Sequence, residues 1–282
     1  MAHSSLQEIV CCMGQPVAGN PMQYMMEKAF AAAGLDLRFL TLEVTPDHLA
    51  DAVRGMRAMG FRGAILLDPH QATVVEYADQ LSRAAQLIGE VNFLDRDGEQ
   101  LTGDNTVGKA LLRLVRQSTD PTGKPVVILG AGSAARSAAV ELALEGVSQV
   151  VIVNRTAERG QQLAELVSQK TGVSSRFDQW VGDYAPPLDT ALVVQAASIA
   201  AGDAGRRVPL KLDGLAPTAV VVDMRLNPPD TQLLRDASAR GLAALDGLDV
   251  LVNQAVIAFC RWTGVEPDQS VMHEALEEFL ML

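Results

Sequence analysis

The stretch that decides the fold is VVILGAGSAARSAAVELALEGVSQVVIVNRT, residues 126–156. It begins with an apolar strand over 126–129, continues through a glycine-containing turn into a helix, and ends in a second apolar strand over 149–153. This order predicts a βαβ unit within a parallel sheet. Because short apolar runs alternate with helical patterns along the rest of the chain, we predict an α/β protein throughout.

The other predicted elements divide the chain into two domains. Turn-forming residues crowd the segment STDPTGKP, 118–125, and a long amphipathic helix precedes it. We therefore predict an N-terminal α/β domain over 1–107, completed by C-terminal helices 247–282, and a second α/β domain over 108–246, to which the glycine turn below assigns a dinucleotide. The individual elements expected are strands near 7–13, 37–43 and 62–67, helices near 22–33, 46–59 and 79–87, a hairpin turning at Asp97-Gly98, and helices over 248–262 and 268–280. Thr45 is the expected cap of the second helix.

Composition excludes several classes of function. A net charge of −11 argues against a nucleic-acid partner, because phosphate binding requires a basic surface. No apolar run reaches the ~18 residues of a membrane span, and the first residues lack the pattern of a signal peptide. The three cysteines and four histidines lack metal-ligand spacing, so no metal is expected and Cys11 and Cys12 are predicted to be core residues. We expect a cytoplasmic monomer or homodimer that binds a small molecule.

The glycine turn within 126–156 has the pattern of a dinucleotide site. Gly130 permits a tight turn, Gly132 lets the backbone approach a pyrophosphate, and Ala135 allows close packing of helix on strand. The N-terminus of the following helix offers N–H groups and a partial positive charge to the phosphates. The residues expected against the dinucleotide here are Gly130, Ala131, Gly132, Ser133, Ala134 and Ala135. The alternative is a tight turn with no ligand.

The end of the second strand indicates which dinucleotide binds. An NAD site ends this strand with an acidic residue for the ribose 2′-hydroxyl. Here the end reads Asn154-Arg155-Thr156, and Arg159 follows. Guanidinium groups suit a 2′-phosphate, so the pattern favours NADP over NAD. The alternative is a helix cap at Asn154 or Thr156 with solvated arginines.

These motifs resemble those of the shikimate/quinate dehydrogenase family, and the resemblance covers nearly the whole chain. It rests on the glycine loop with NRTAER, and on IGEVN (88–92), GDNT (103–106), DMRLNPPDTQLL (223–234) and DGLDVLVNQAVIAFCRWTG (246–264). The resemblance implies a Rossmann-type NADP domain, a substrate domain, and a cleft between them that holds the substrate. It also implies hydride transfer between NADP and the 3-hydroxyl of a cyclohexene carboxylate. Three further cofactor contacts are implied: Ala196, Met224 and Gly247.

The chain departs from the family where the chemistry is expected. Pro69 aligns ILLDPHQ (65–71) with the family pattern Asn-Val-Thr-x-Pro-x-Lys, which places Gln71 at the catalytic lysine and Leu67 at a substrate-binding threonine. Val107 replaces the aspartate that pairs with that lysine. The family's two carboxylate-binding serines correspond to Asn20 and Met22, whereas Asn92 and Gln254 keep the remaining substrate contacts.

These exchanges remove the proton-transfer pair, because neither glutamine nor valine titrates near neutral pH. His70 is a candidate replacement acid or base, which Asp68, Asp104 or Glu90 could orient. The candidate catalytic residues are thus His70, Gln71 and Asp104. The alternative for His70 is a tolerant position that points to solvent.

Three functions remain open on the sequence alone. The first is a divergent NADP-dependent oxidoreductase whose small substrate is less polar than shikimate or differently placed. The second is a non-catalytic NADP-binding sensor or regulator. The third is an ordinary shikimate dehydrogenase.

Overall fold

A computed structural model describes residues 7–197 and 207–282, and these form two compact units. The N-terminal unit runs to Thr106 and resumes from Gln254 to Leu282, and the central unit spans Val107–Asn253. The sequence placed the second boundary earlier, between 246 and 247. The units divide later because one helix runs unbroken from Gly247 to Thr263, and only its second half clusters with the N-terminal unit.

The N-terminal unit is built on a six-stranded mixed sheet. Its strands are β1 (Glu8–Gly14), β2 (Leu37–Glu43), β3 (Gly63–Leu66), β4 (Gln80–Leu81), β5 (Phe93–Asp97) and β6 (Gln100–Asp104). The order is β2-β1-β3-β5-β6-β4, with β1 parallel to both β2 and β3, and with β5 antiparallel to β3 and β6. The β5–β6 pairing confirms the predicted hairpin.

Helices cover this sheet and close its edge. They are α1 (Met22–Ala32), α2 (Leu49–Ala58), α3 (Arg83–Ile88), and two short 3₁₀ turns, Pro46–His48 and Thr73–Tyr77. Two side chains of α1 accept hydrogen bonds from the outward N–H groups of edge strand β2: Glu27 from Phe39 at 2.5 Å and Gln23 from Thr41 at 3.0 Å. Strand β2 is therefore protected against pairing with another chain.

Two predicted helix starts in this unit are wrong in detail. The predicted helix over 79–87 is strand β4 followed by α3. Asp79 accepts the N–H of Leu101 at 2.7 Å, which holds this segment in the sheet, and Ser82 then caps α3 by accepting the N–H of Ala85 at 3.1 Å. Thr45 precedes a 3₁₀ turn, and its side chain makes no capping bond.

The C-terminal helices complete the N-terminal unit. Helix α9 (Gln269–Leu280) packs on α1 through the rings of Tyr24 and Phe279, whose centroids lie 6.1 Å apart. Near the end of the helix that begins at Gly247, Trp262 stacks on Phe93 at 5.1 Å. A Cβ atom at Gly63 would lie 2.3 Å from the indole Nε1 atom, so this close approach requires glycine.

The central unit contains a six-stranded sheet that is parallel throughout. Its strands are β7 (Pro125–Leu129), β8 (Gln149–Asn154), β9 (Ser174–Gln179), β10 (Leu192–Gln195), β11 (Val220–Asp223) and β12 (Ala243–Leu245). Its helices are α4 (Val107–Val115), α5 (Ser133–Leu144), α6 (Ala157–Thr171), α7 (Gln232–Ser238) and the first part of α8 (Gly247–Thr263). The order β12-β11-β10-β7-β8-β9 is that of a doubly wound dinucleotide-binding sheet. The predicted α/β class with a Rossmann-type domain is confirmed.

Two of the expectations from composition can be compared with the described residues. Cys11 and Cys12 are free and buried, as predicted, and burial raises the pKa of both thiols, so they stay protonated. Within 7–197 and 207–282, no helix is long and apolar enough to cross a membrane.

Candidate functional site

The glycine turn of the central unit is shaped by contacts that leave one side of it open. Gly130 has φ +115°, and a Cβ atom there would lie 2.8 Å from the backbone of Ala197. Gly132 stands at the N-cap position of α5, where an added Cβ atom would have no atom within 4 Å. Gly130 is therefore required by the protein itself, whereas the space beside Gly132 holds no protein atom.

A pocket of about 450 Å³ lies beside this turn. It is lined by Ala131, Gly132 and Ser133, by Arg136 on α5, and by Arg159 and Gln162 on α6. Two guanidinium groups and a helix N-terminus in one pocket favour an anionic ligand. The residues present thus fit the phosphates of a dinucleotide. Arg136 was not predicted from the sequence, although its position one helical turn after Gly132 is the signal that places it here.

The end of β8 carries the residues predicted to select NADP. Asn154 donates from Nδ2 to the carbonyl of Thr156 at 2.8 Å, and Gln179 donates to the carbonyl of Arg155 at 2.7 Å. Thr156 is the N-cap of α6, but its side chain makes no capping bond. The segment is thus held by its backbone, and the side chains of Arg155 and Arg159 are exposed.

The other predicted cofactor contacts follow neighbouring strands of the same sheet. Ala196 comes directly after β10, Met224 after β11, and Gly247 begins α8 after β12. The loop at Met224 is fixed by the buried carboxylate of Asp223, which binds Arg225 through two nitrogens and accepts the hydroxyl of Thr231 at 2.9 Å. Because the strands are parallel, these positions share the carboxyl edge of the sheet with the glycine turn.

In the N-terminal unit, several predicted site residues lie at the end of the sheet where β1 and β3 have their carboxyl ends. Strands β1 and β3 are parallel and end there, β5 begins there because Phe93 pairs with Ile65, and β6 ends there because Asp104 pairs with Phe93. The predicted site residues that follow or flank these ends are Asn20, Leu67, His70, Gln71, Asn92 and Asp104.

Some polar atoms of these side chains make hydrogen bonds within the protein. Asn20 accepts the N–H of Met22 through Oδ1 at 2.9 Å, and Asn92 accepts the N–H of Thr106 through Oδ1 at 2.7 Å. Gln71 donates from Nε2 to the carbonyl of Leu66 at 3.0 Å. These bonds leave the amide nitrogens of Asn20 and Asn92 and the amide oxygen of Gln71 without a partner among the described residues.

Asp104 supports the loop that follows it. Its carboxylate is almost fully buried, and its Oδ1 atom accepts the hydroxyl of Ser82 at 2.5 Å and the N–H of Asn105 at 2.8 Å. Its Oδ2 atom lies 3.9 Å from a guanidinium nitrogen of Arg261. These contacts describe a carboxylate that orders the chain between β6 and α4.

His70 is buried, with 1% of its surface exposed. Its Nε2 atom lies 2.7 Å from the carbonyl oxygen of Val44. The alternative that this side chain points to solvent is therefore wrong. Within the described part of the chain, its ring makes no hydrogen bond to Asp68, Glu90 or Asp104.

The remaining predicted site residues lie in different settings. Met22 is the first residue of α1 and is buried, so its side chain belongs to the core. Leu67 is half-buried, and its Cβ atom would lie 2.7 Å from a Cβ atom added to Gly14. Gln254 is half-buried on α8, and its amide has no partner among the described residues. Val107 begins α4.

No group of three or more His, Cys, Asp or Glu side chains in the described ranges could hold a metal ion.

Comparison with family models gives three matches along the chain. They are the shikimate dehydrogenase substrate binding domain at residues 12–94, shikimate / quinate 5-dehydrogenase at 113–182, and the shikimate 5′-dehydrogenase C-terminal domain at 247–277. A curated relative, shikimate dehydrogenase (NADP(+)) of Methanopyrus kandleri, is 38% identical over 277 residues, which cover 96% of each chain.

Two solved structures resemble the whole chain. The ligand-free form of 5-ketofructose reductase of Gluconobacter sp. strain CHM43 has a TM-score of 0.94 and 39% identity, covering 98% of this chain and 99% of that chain. Shikimate 5-dehydrogenase from Listeria monocytogenes, in complex with shikimate and NAD, has a TM-score of 0.88 and 28% identity, covering 98% of each.

Proposed function

Because the chain belongs to the shikimate/quinate dehydrogenase family, we propose that it is an NADP-dependent oxidoreductase that reduces a small, neutral polyhydroxy ketone instead of dehydroshikimate. The family supports NADP-dependent redox chemistry, and the residues of the N-terminal unit support the choice of substrate.

One observation carries the choice of substrate: carboxamides occupy the polar substrate positions, Asn20, Asn92 and Gln254, and also the predicted catalytic position Gln71. A carboxamide offers both donors and an acceptor but no charge. After the internal bonds, Asn20 and Asn92 keep N–H donors, Gln71 keeps an acceptor, and Gln254 keeps both. A ligand with several hydroxyl groups and a carbonyl matches such a set, because each hydroxyl both donates and accepts.

The same positions are poorly suited to a carboxylate. Met22 is buried in the core, and the side-chain oxygen of Asn20 already accepts the N–H of Met22 at the start of α1. A carboxylate placed there would lose water and gain one neutral donor, which does not offset the cost of removing a charge from water. The full-length similarity to a 5-ketofructose reductase supports a sugar-like ketone as the substrate.

The cofactor proposed is NADP(H), in line with the names of the curated relatives. The turn at Gly132 and the pocket with Arg136 and Arg159 would hold its phosphates, and Arg155 at the end of β8 would bind the 2′-phosphate. When bound, NADPH supplies the hydride.

The chain's own residues bind the ketone and polarise its carbonyl group. Reduction of a ketone also requires a proton at the carbonyl oxygen. Gln71 cannot deliver a proton near neutral pH, and Val107 cannot do so either. His70 and Asp104 make hydrogen bonds within the protein, so we infer that water supplies the proton. We expect kcat/KM for ketone reduction to stay nearly flat across the neutral pH range.

The experiment is a steady-state assay of the full chain with NADPH over 5-ketofructose and related polyhydroxy ketones, and with NADP⁺ over shikimate and quinate. We expect turnover of a polyhydroxy ketone and almost none of shikimate. Shikimate oxidation as efficient as the ketone reaction would identify an ordinary shikimate dehydrogenase. NADP⁺ binding without turnover of any compound would favour a non-catalytic sensor.

A further inference from the structure

The buried imidazole of His70 makes a hydrogen bond whose direction is fixed by chemistry. The carbonyl oxygen of Val44 can only accept, so the Nε2 atom 2.7 Å away carries the proton and donates it. The backbone of His70 is also held on both sides, since its N–H donates to Leu67 at 3.0 Å and its carbonyl accepts from Val74 at 2.9 Å. His70 is therefore fixed in place by three bonds.

The bond to Val44 joins two strands that are not neighbours. His70 lies in the loop after β3, whereas Val44 follows β2, and β1 lies between these strands in the sheet. Backbone bonds connect the other strand ends: Val44 N–H to Gly14 at 3.0 Å, and Leu67 N–H to Met13 at 2.8 Å. The imidazole thus spans the end of β1 and ties the β3 loop to β2.

The residue after His70 is Gln71, which leads directly to the rest of the predicted substrate site. The carbonyl of Gln71 accepts the N–H of Val91 at 2.8 Å. The next residue, Asn92, donates its N–H to the carbonyl of Asp104 at 3.1 Å and accepts Thr106 through its side chain. A shift of the β3 loop would therefore move the amide groups of both Gln71 and Asn92.

We propose that His70 is a positioning residue: its Nε2–H bond to Val44 holds Gln71 and Asn92 where the ketone binds, and its ring takes no part in proton transfer. This inference rests on the proposed function for the identity of the substrate. It requires a side-chain N–H donor at this position and does not require a group that titrates.

The test compares His70→Phe, which removes the donor and keeps a buried ring, with His70→Gln, whose Nε2 can replace the imidazole donor. The exposed histidine His48 provides matched controls, His48→Phe and His48→Gln. Each protein is assayed for kcat and KM with NADPH and the polyhydroxy ketone, for NADPH affinity, and for amide hydrogen exchange of peptides containing Val44 and residues 67–74.

We expect His70→Phe to lose about 10²-fold in kcat/KM, because a displacement of about 1 Å at the reacting group has this effect. Exchange in the two peptides should rise, while NADPH affinity and both His48 variants stay unchanged. His70→Gln should recover most of the activity and the protection. If His70→Phe does not fold, His70→Asn takes its place, because its shorter side chain holds the donor away from Val44.

Four outcomes would overturn the inference. If His70→Gln is as inactive as His70→Phe, proton transfer is assigned to the imidazole. If His70→Phe keeps full ketone turnover, His70 has no positioning role. The same follows if turnover is lost while amide hydrogen exchange stays unchanged, and in both cases the proposed function remains. A wild-type protein that reduces no ketone would instead remove the proposed function, and this inference with it.

Discussion

The turn at residues 130–135 and the loop at residues 67–71 occupy comparable places, since each follows a buried strand at the carboxyl edge of its sheet. The first matches the family pattern and keeps an open position at Gly132. The second has exchanged a lysine for Gln71 and a threonine for Leu67. On the proposed function, the cofactor chemistry of the family is kept and its substrate chemistry is changed, and the two sets of residues lie on different units.

The largest expected effect is on the cofactor side of this comparison. Gly132→Ala should weaken NADP⁺ binding by about 10²-fold or more, because the methyl group fills the space for a phosphate and removes charge-assisted bonds. Its melting temperature should stay unchanged, since an added Cβ atom meets nothing within 4 Å. Fluorescence titration and thermal unfolding measure the two quantities.

Gly130→Ala is the matched control for that variant. Here the Cβ atom would lie 2.8 Å from the backbone of Ala197 at φ +115°, so the protein should lose at least ~1–3 kcal/mol of stability. A large fall in melting temperature for Gly132→Ala, equal to that of Gly130→Ala, would show that both glycines serve folding alone.

The next effect concerns the substrate side. The double variant Gln71→Lys with Val107→Asp restores the family's proton-transfer pair. Its rate of shikimate oxidation should still be at least ~10²-fold below that of ordinary family members, because Asn20, Met22 and Leu67 leave the substrate misplaced. Adding serines at 20 and 22 and threonine at 67 should help more than additively. Gln71→Lys alone should lower stability, since it introduces a partly buried charge without a partner.

Efficient shikimate oxidation by the double variant would contradict this expectation. It would mean that the exchanged proton-transfer pair is the whole difference between this chain and the shikimate dehydrogenases.

The local geometry of the glycine turn could be predicted from the sequence more completely than that of the loop at residues 67–71, for physical reasons. A glycine turn between two apolar strands has a local signature, so the roles assigned to Gly130 and Gly132 agree with their geometry. The orientation of His70 depends on Val44, which is distant in sequence and has no local signal. The burial of Met22 was missed because the first residue of a helix has no periodic pattern to show its face.

Two further differences have the same origin. Strand β4 is only Gln80–Leu81, and its pairing with β6 overrides a helical pattern that the sequence shows. The glycine motif directs attention to the loop residues, so Arg136 was not predicted, although its helical spacing from Gly132 places it in the same pocket.

A smaller effect should sharpen the assignment of the dinucleotide. Arg155→Ala should weaken NADP⁺ by roughly ten- to a hundredfold and leave NAD⁺ almost unchanged, because a charge-assisted contact with the 2′-phosphate contributes ~1.5–3 kcal/mol. Equal effects on both nucleotides in a competition titration would make Arg155 a surface residue without a role in selection.

The smallest predicted effect lies at Asn20. Asn20→Asp keeps the oxygen that accepts the N–H of Met22, so α1 should stay intact, but it replaces the N–H donors by a second oxygen. The KM for the ketone should rise about fivefold, as expected for the loss of one hydrogen bond of ~1 kcal/mol. Steady-state kinetics with circular dichroism as the folding control measure this; an unchanged KM would remove Asn20 from the substrate site.

The preference for a polyhydroxy ketone over shikimate can be measured by isothermal titration of the protein saturated with NADP⁺, first with 5-ketofructose and then with shikimate. We expect saturable binding of the ketone and a Kd for shikimate weaker than ~1 mM, equivalent to less than about 4 kcal/mol of binding free energy. Tight binding of shikimate, with no heat from the ketone, would contradict this preference.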